Sequence, residues 1–92
     1  MRLLDTIRLI DTFDARSTVY AALPWTHESA VVVDLEPDGG GVPISAQDRG
    51  MTYFLEVAVI REFLHEWEPA LGGVPSHEDQ CTRLIQFAIH DA

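Results

Sequence analysis

The spacing of apolar residues along the chain predicts three amphipathic helices. The first covers residues 2–13, and its apolar face consists of Leu3, Ile7, Ile10 and Phe13. The second begins at residue 57 and stops at Pro69, and its apolar face consists of Val57, Ile60, Phe63, Leu64 and Trp67. The third begins at "SHED" (76–79), a Ser-x-x-acid helix start, and its apolar face consists of Cys81, Leu84, Ile85, Ala88 and Ile89.

Three other segments have the composition of β-strands. The segment "STVYAAL" (17–23) is rich in β-branched and aromatic residues and is ended by Pro24. Three adjacent valines make "AVVVDL" (30–35) the clearest strand, which we expect inside the sheet with both faces buried. A six-residue connection containing "PWTHES" would join these two as an antiparallel hairpin. The segment "MTYFL" (51–55) is the third strand.

The stretch between the second and third strands contains three consecutive glycines, Gly39–Gly41, preceded by "EPD". A phosphate-binding loop would need glycines at fixed offsets between a strand and a helix, usually with a lysine, so we interpret this loop as a flexible acidic turn. The following "PISAQDRG" (43–50) predicts a short helix that Ser45 caps and that Gly50 ends in a left-handed conformation.

The resulting order of elements is α-β-β-α-β-α-α. This order predicts a single α+β domain over residues 1–92, in which a small three-stranded, mainly antiparallel sheet packs against helices on one face. The chain length of 92 residues is sufficient for one small hydrophobic core.

The net charge of the chain excludes some classes of binding partner. Fifteen acidic residues face six basic ones, all arginine, for a net charge of −9. Residues 1–35 hold five acids and three arginines, a net of −2, whereas residues 36–92 hold ten acids and three arginines, a net of −7. The chain lacks the basic footprint that nucleic acid requires, and an anionic membrane would repel it. Its field favours a basic protein partner, although acidic surfaces also serve solubility alone.

The expected compartment is the cytoplasm. No run approaches the roughly 20 apolar residues that span a bilayer. The first residues, "MRLLDTIRLIDTF", contain Asp5 and Asp11 and do not form a signal peptide. The single cysteine, Cys81, permits no internal disulfide, which fits a reducing environment.

No catalytic or metal-binding constellation is evident. The four histidines lie on different predicted elements, and His65 with Glu62 or Glu66 would form only half a metal site. Cys81 lies on an apolar helix face, where an inert, buried thiol is the common outcome. We therefore expect neither enzymatic activity nor a cofactor or metal ion.

The order of residues in the middle of the chain resembles a known family. Trp25 precedes the strand end "VVVDLEPD", an acidic loop and a short helix that ends at Gly50. Tyr53 and Leu55 form a "YxL" strand, and an amphipathic helix follows. Over residues 24–68 this order resembles small immunity proteins of contact-dependent growth inhibition and related polymorphic-toxin systems, although the triple glycine and the strand entry "ESAVVV" depart from their pattern. The resemblance implies a cytosolic protein that neutralises the toxic C-terminal domain, often a nuclease, of a delivered effector.

The cleft of a nuclease is basic, so an acidic inhibitor would occupy it through desolvated charge pairs and an aromatic anchor. The candidate partner-binding residues are Trp25, Glu36, Asp38, Asp48, Glu62 and Glu66. Trp25 serves as the anchor only if it lies outside the core, and each acid has the alternative of being a solvated surface group. Two other functions remain open: an adaptor or structural domain that binds an unrelated protein, and a small enzyme or metal protein.

Overall fold

A computed structural model of the chain describes residues 1–47, 49–67 and 73–90. In chain order its elements are α1 (Leu3–Arg8), β1 (Thr18–Ala22), β2 (Val31–Asp34), α2 (Ile44–Gln47), β3 (Met51–Glu56), α3 (Val57–Glu66) and α4 (His77–His90). This order confirms the predicted α-β-β-α-β-α-α arrangement and the α+β class. Within the described residues, no helix is long and apolar enough to cross a bilayer.

The three strands form an antiparallel sheet in the order β2-β1-β3. The predicted hairpin of β1 and β2 is therefore confirmed, but the valine-rich β2 is an edge strand rather than an interior one. Val31 is buried, whereas Val32 and Val33 are only half-buried. The first residues of the chain cover part of this edge, since the Val31 N–H donates to the Met1 carbonyl at 2.8 Å. The centre of the sheet is β1, whose residues 18–21 are all buried.

The main hydrophobic core lies between the sheet and three helices. Val19 and Ala21 of β1 pack against α1, α3 and α4 on what we call the helix side of the sheet. The helices bury on this side Leu3, Leu4, Ile7, Val57, Ile60, Cys81 and Leu84. The predicted apolar helix faces are thus largely correct, and Cys81 is buried as expected.

A β-bulge in β3 decides which residues face the other side of the sheet. Val19 pairs with Leu55 and Tyr20 pairs with Tyr53, so Phe54 is an extra residue in β3. Phe54 and Leu55 are both buried on the helix side. The bulge returns Tyr53 to the opposite side of the sheet, next to Tyr20.

The first helix is shorter than the predicted span of residues 2–13. α1 ends at Arg8, and a single 3-10 turn, Ile10–Thr12, follows. Arg61 of α3 donates hydrogen bonds to the carbonyls of Ile10, at 3.1 Å, and Phe13. In a continuing α-helix these two carbonyls would accept hydrogen bonds from backbone N–H groups four residues later. Here the side chain of Arg61 donates to them.

Candidate protein-binding surface

The ion pairs of the described residues all use carboxylates from the first 28 residues. They are Arg2–Asp5, Arg2–Glu28, Arg16–Asp14 and Arg61–Asp11, with N–O distances of 2.9 to 3.7 Å. The hydrogen bonds from Arg16 lower the pKa of Asp14 to about 2. No carboxylate beyond Glu28 in the described part of the chain lies within 4.0 Å of a basic group. The negative charge of the later residues is therefore uncompensated by ion pairs there.

Part of this charge lies on the side of the sheet opposite the helix side. Asp34 and Glu56 pair with Thr18 from its two neighbouring strands, so their Cα atoms are two strand spacings, or about 10 Å, apart. In the next row of this side, Tyr20 lies beside Tyr53. We use the name tyrosine face for the surface formed by Asp34, Glu36 and Glu56 together with Tyr20 and Tyr53.

The two tyrosines share one electrostatic environment. Tyr53 lies on the edge strand and is 44% exposed, whereas Tyr20 is fully buried with Ala46 of α2. Burial is the main cause that raises the pKa of both phenols. The charge of Glu36 raises both pKa values further, and Glu56 adds to the effect on Tyr53. The phenols and carboxylates are thus close enough to interact.

The hydroxyl of Tyr20 is an exception to the usual pairing of buried polar groups. It is buried and, among the described residues, accepts or donates no hydrogen bond of normal geometry. The Thr18 side chain lies close enough to oppose the rise in the pKa of Tyr20, but it does not meet hydrogen-bond geometry. Tyr20 therefore adds to the tyrosine face a buried polar atom that has no hydrogen-bond partner among the described residues.

Glu36 and Asp38 are exposed in the glycine-containing loop, as predicted. The Gly40 N–H donates to the Pro37 carbonyl at 2.8 Å, and Gly40 and Gly41 have φ values of +79° and +86°. A side chain at Gly40 would be strained at this φ and would lie 3.8 Å from the Glu36 carboxylate. The geometry is that of a tight acidic turn, and Glu36 lies between this turn and Asp34 at the end of β2.

Trp25 packs against the core, so it is not the exposed ring that a partner-binding anchor requires. Its ring lies edge-on to Phe54, with centroids 5.0 Å apart, and its Nε1–H donates to the Ala21 carbonyl at 3.3 Å. The half-buried ring packs against the core on the helix side, which assigns it a structural role. The exposed aromatic residue of the acidic surface is Tyr53, for which the sequence predicts only a position in a strand. Tyr53 and Phe54 are adjacent in a strand, so the sequence indicates that they face opposite sides of the sheet. The bulge determines which side Tyr53 faces.

The remaining candidates do not join this surface. Glu62 lines a cleft of about 540 Å³ between α1, α3 and α4, on the helix side. Glu66 is exposed near the end of α3, and Asp48 lies outside the described residues. The structure therefore brings Glu36 and Asp38 together but separates them from the acids of α3.

The cleft itself has mixed charge. Arg8, Arg61, His65 and His77 line it together with Asp11 and Glu62. Arg61 is already engaged by backbone carbonyls, so it is not a free cation for a ligand. In the parts of the chain that the structure describes, no group of three or more His, Cys, Asp or Glu side chains could hold a metal ion.

Comparisons with known proteins found no match among family models, curated proteins or solved structures. The geometry of the chain therefore carries the functional argument. Beside the tyrosine face, Leu35 and Ile44 are 54% and 76% exposed, and the Ser45 hydroxyl donates to Asp34 at 3.4 Å, which places the start of α2 next to it. An exposed aromatic residue on the same side of the sheet as unpaired acids makes the tyrosine face the candidate surface for a basic protein partner.

Proposed function

We propose that the protein is an immunity-type inhibitor that binds a basic toxin domain through the tyrosine face. The observation that carries the proposal is the uncompensated negative charge of the described residues after Glu28, part of which lies on the same side of the sheet as the exposed Tyr53. The cleft of a nuclease concentrates arginine and lysine side chains to bind phosphates. An acidic face accelerates encounter with such a cleft, and a desolvated aromatic anchor slows dissociation.

The test is to identify a toxin domain among the genes beside this one and to co-express it with the protein. Cells that produce the toxin domain should survive only when the protein is also present, and the two chains should co-purify. Survival without the protein, or failure of the two chains to bind each other, would contradict the proposal.

Two double variants that remove the same number of charges test whether the toxin domain binds at the tyrosine face. Glu36→Gln with Glu56→Gln removes two charges from this face, and Glu62→Gln with Glu66→Gln removes two from α3. All four side chains are exposed, so both variants should fold. Protection should weaken mainly in the first variant. Equal loss in both would show that only the overall charge matters.

The adaptor alternative uses the same surface and predicts a different result. An adaptor would bind a basic protein without rescuing cells from a toxin domain. Binding without protection would therefore favour an adaptor, and protection would favour an inhibitor.

A further inference from the structure

We propose that the tyrosine face recognises an arginine side chain of its partner, with the guanidinium stacked on the Tyr53 ring and bound by Glu36 and Glu56. This inference rests on the proposed function, because it names the chemical group by which the basic partner is recognised. It specifies arginine rather than lysine.

The position of Tyr53 provides the first argument. Tyr53 and Glu56 lie on the same side of β3, because Phe54 and Leu55 between them are both buried on the helix side. Tyr53 is 44% exposed, so part of it is accessible to a ligand. A cation over an exposed aromatic ring is attracted by the ring quadrupole, and the planar guanidinium also stacks on it.

The carboxylates provide the second argument. Neither Glu36 nor Glu56 has an ion pair within the described residues. Glu56 also precedes α3 without a side-chain capping bond, so its carboxylate is not committed to the helix. A guanidinium has five donors in one plane, so it can bind carboxylates with its edge while it stacks on an aromatic ring. A lysine ammonium is a point charge and does not match this planar arrangement.

The buried hydroxyl of Tyr20 provides an independent argument. It lies beside Tyr53 in the sheet, responds to the charges of Glu36 and Asp34, and has no hydrogen-bond partner among the described residues. A buried polar atom without a partner costs stability, and completing its bond is a gain for a ligand. The oxygen is inaccessible in the free protein, so a bound donor completes its bond only if the residues that cover it move.

The experiment compares two peptides of equal charge, acetylated and amidated tri-arginine and tri-lysine, in NMR titrations of the labelled protein at low ionic strength. Tri-arginine should bind about two- to fivefold more tightly, the range expected for a cation–π contact at an exposed site. The largest shifts should occur at residues 34–36, 53 and 56. Tyr53→Leu should abolish the preference for arginine and leave the affinity for tri-lysine nearly unchanged.

Charge variants provide the matched control. Glu36→Gln with Glu56→Gln should weaken binding of both peptides and remove the preference, whereas Glu62→Gln with Glu66→Gln should retain it. The inference is overturned by equal affinities for the two peptides. It is also overturned by shifts centred on α3 and α4, or by a preference that survives Tyr53→Leu in a variant of native melting temperature.

The outcome is separate from that of the toxin experiment. Protection of cells without a preference for arginine would overturn the inference and leave the proposed function intact. A preference for arginine without protection would support the inference for a basic partner that is not a toxin.

Discussion

Tyr20 carries a polar atom at a position where the described fold provides no partner for it. Its ring is nevertheless fully buried between the sheet and α2, so the aromatic part contributes to packing. These two contributions have opposite signs, and they can be separated by changing the hydroxyl alone.

We predict that Tyr20→Phe raises the free energy of unfolding by about 1 kcal/mol, because it removes a buried hydroxyl that lacks a hydrogen bond. Urea unfolding monitored by circular dichroism measures the change. Tyr20→Leu is the control and should destabilise the protein, because it removes ring packing. A loss of stability in Tyr20→Phe would show that the hydroxyl has a partner after all.

A second prediction concerns alkaline pH. Burial raises the pKa of the Cys81 thiol from 9.0 to about 11. In the unfolded chain the thiol ionises near its ordinary pKa, so the folded state disfavours the thiolate. Stability should be constant below pH 9 with respect to this group and should fall as the pH rises from 9 towards 11. The decline should be shallower in Cys81→Ala, measured as the urea midpoint at each pH.

The tyrosines act in the same direction, since the pKa values of Tyr20 and Tyr53 are also raised. The tyrosines contribute equally in wild type and in Cys81→Ala. The difference between the two proteins in how steeply the urea midpoint falls with pH therefore reports the thiol alone. Identical slopes in wild type and Cys81→Ala would contradict burial of Cys81. Absolute stabilities are not compared, because the alanine also removes packing volume.

At the scale of elements, the features that depend on local chemistry could be predicted from the sequence. Gly50 has a φ of +66°, the left-handed conformation expected at the end of α2. Ser76 accepts a hydrogen bond from the Asp79 N–H at 3.1 Å, which is the expected helix cap. Ser45 does not cap α2, because the helix begins one residue earlier and the hydroxyl instead donates to Asp34. That contact is with another element, and local sequence does not specify it.

This difference leads to the third prediction. Ser76→Ala should lower the free energy of unfolding by about 1 kcal/mol, because the N–H of Asp79 loses its capping acceptor. Ser45→Ala should change it less, because the bond to Asp34 is long and exposed. Thermal and urea unfolding of the two single variants measure the difference. Equal effects would show that the cap does not stabilise α4.

The shortening of the first helix also depends on contacts distant in sequence. Its apolar spacing is regular through residue 13, but Arg61 binds the carbonyls of Ile10 and Phe13 from α3. Likewise, the apolar face of α4 predicted burial of Ile89, which is 58% exposed. Phe87 instead packs on Phe63, with ring centroids 4.9 Å apart. Helical periodicity gives the face of a helix, but the length of the neighbouring elements decides how far that face is covered.

At the scale of the whole molecule, the surface that we propose for partner binding was the least predictable feature. The sequence indicates that the charge is acidic and uneven, yet it does not indicate which side of the sheet each acid faces. Trp25, the anchor candidate, packs on Phe54 in the core, whereas the bulge at Phe54 leaves Tyr53 exposed on the other side of the sheet. The surface on which each acid lies depends on the order of the strands and on which side of the sheet α1, α3 and α4 cover.

The last prediction separates the charge of the molecule from the charge of one face. Both double variants, Glu36→Gln with Glu56→Gln and Glu62→Gln with Glu66→Gln, change the net charge from −9 to −7. Both should slow association with the cognate toxin domain, and wild-type association should slow with salt, since screening shortens from about 10 Å at 0.1 M to about 3 Å at 1 M. Only the first variant should also accelerate dissociation, because it removes charges that a bound partner desolvates. Stopped-flow and surface-binding kinetics give both rates. Equal dissociation rates in the two variants would place the contact elsewhere, and association that ignores salt would refute electrostatic recognition by this acidic protein.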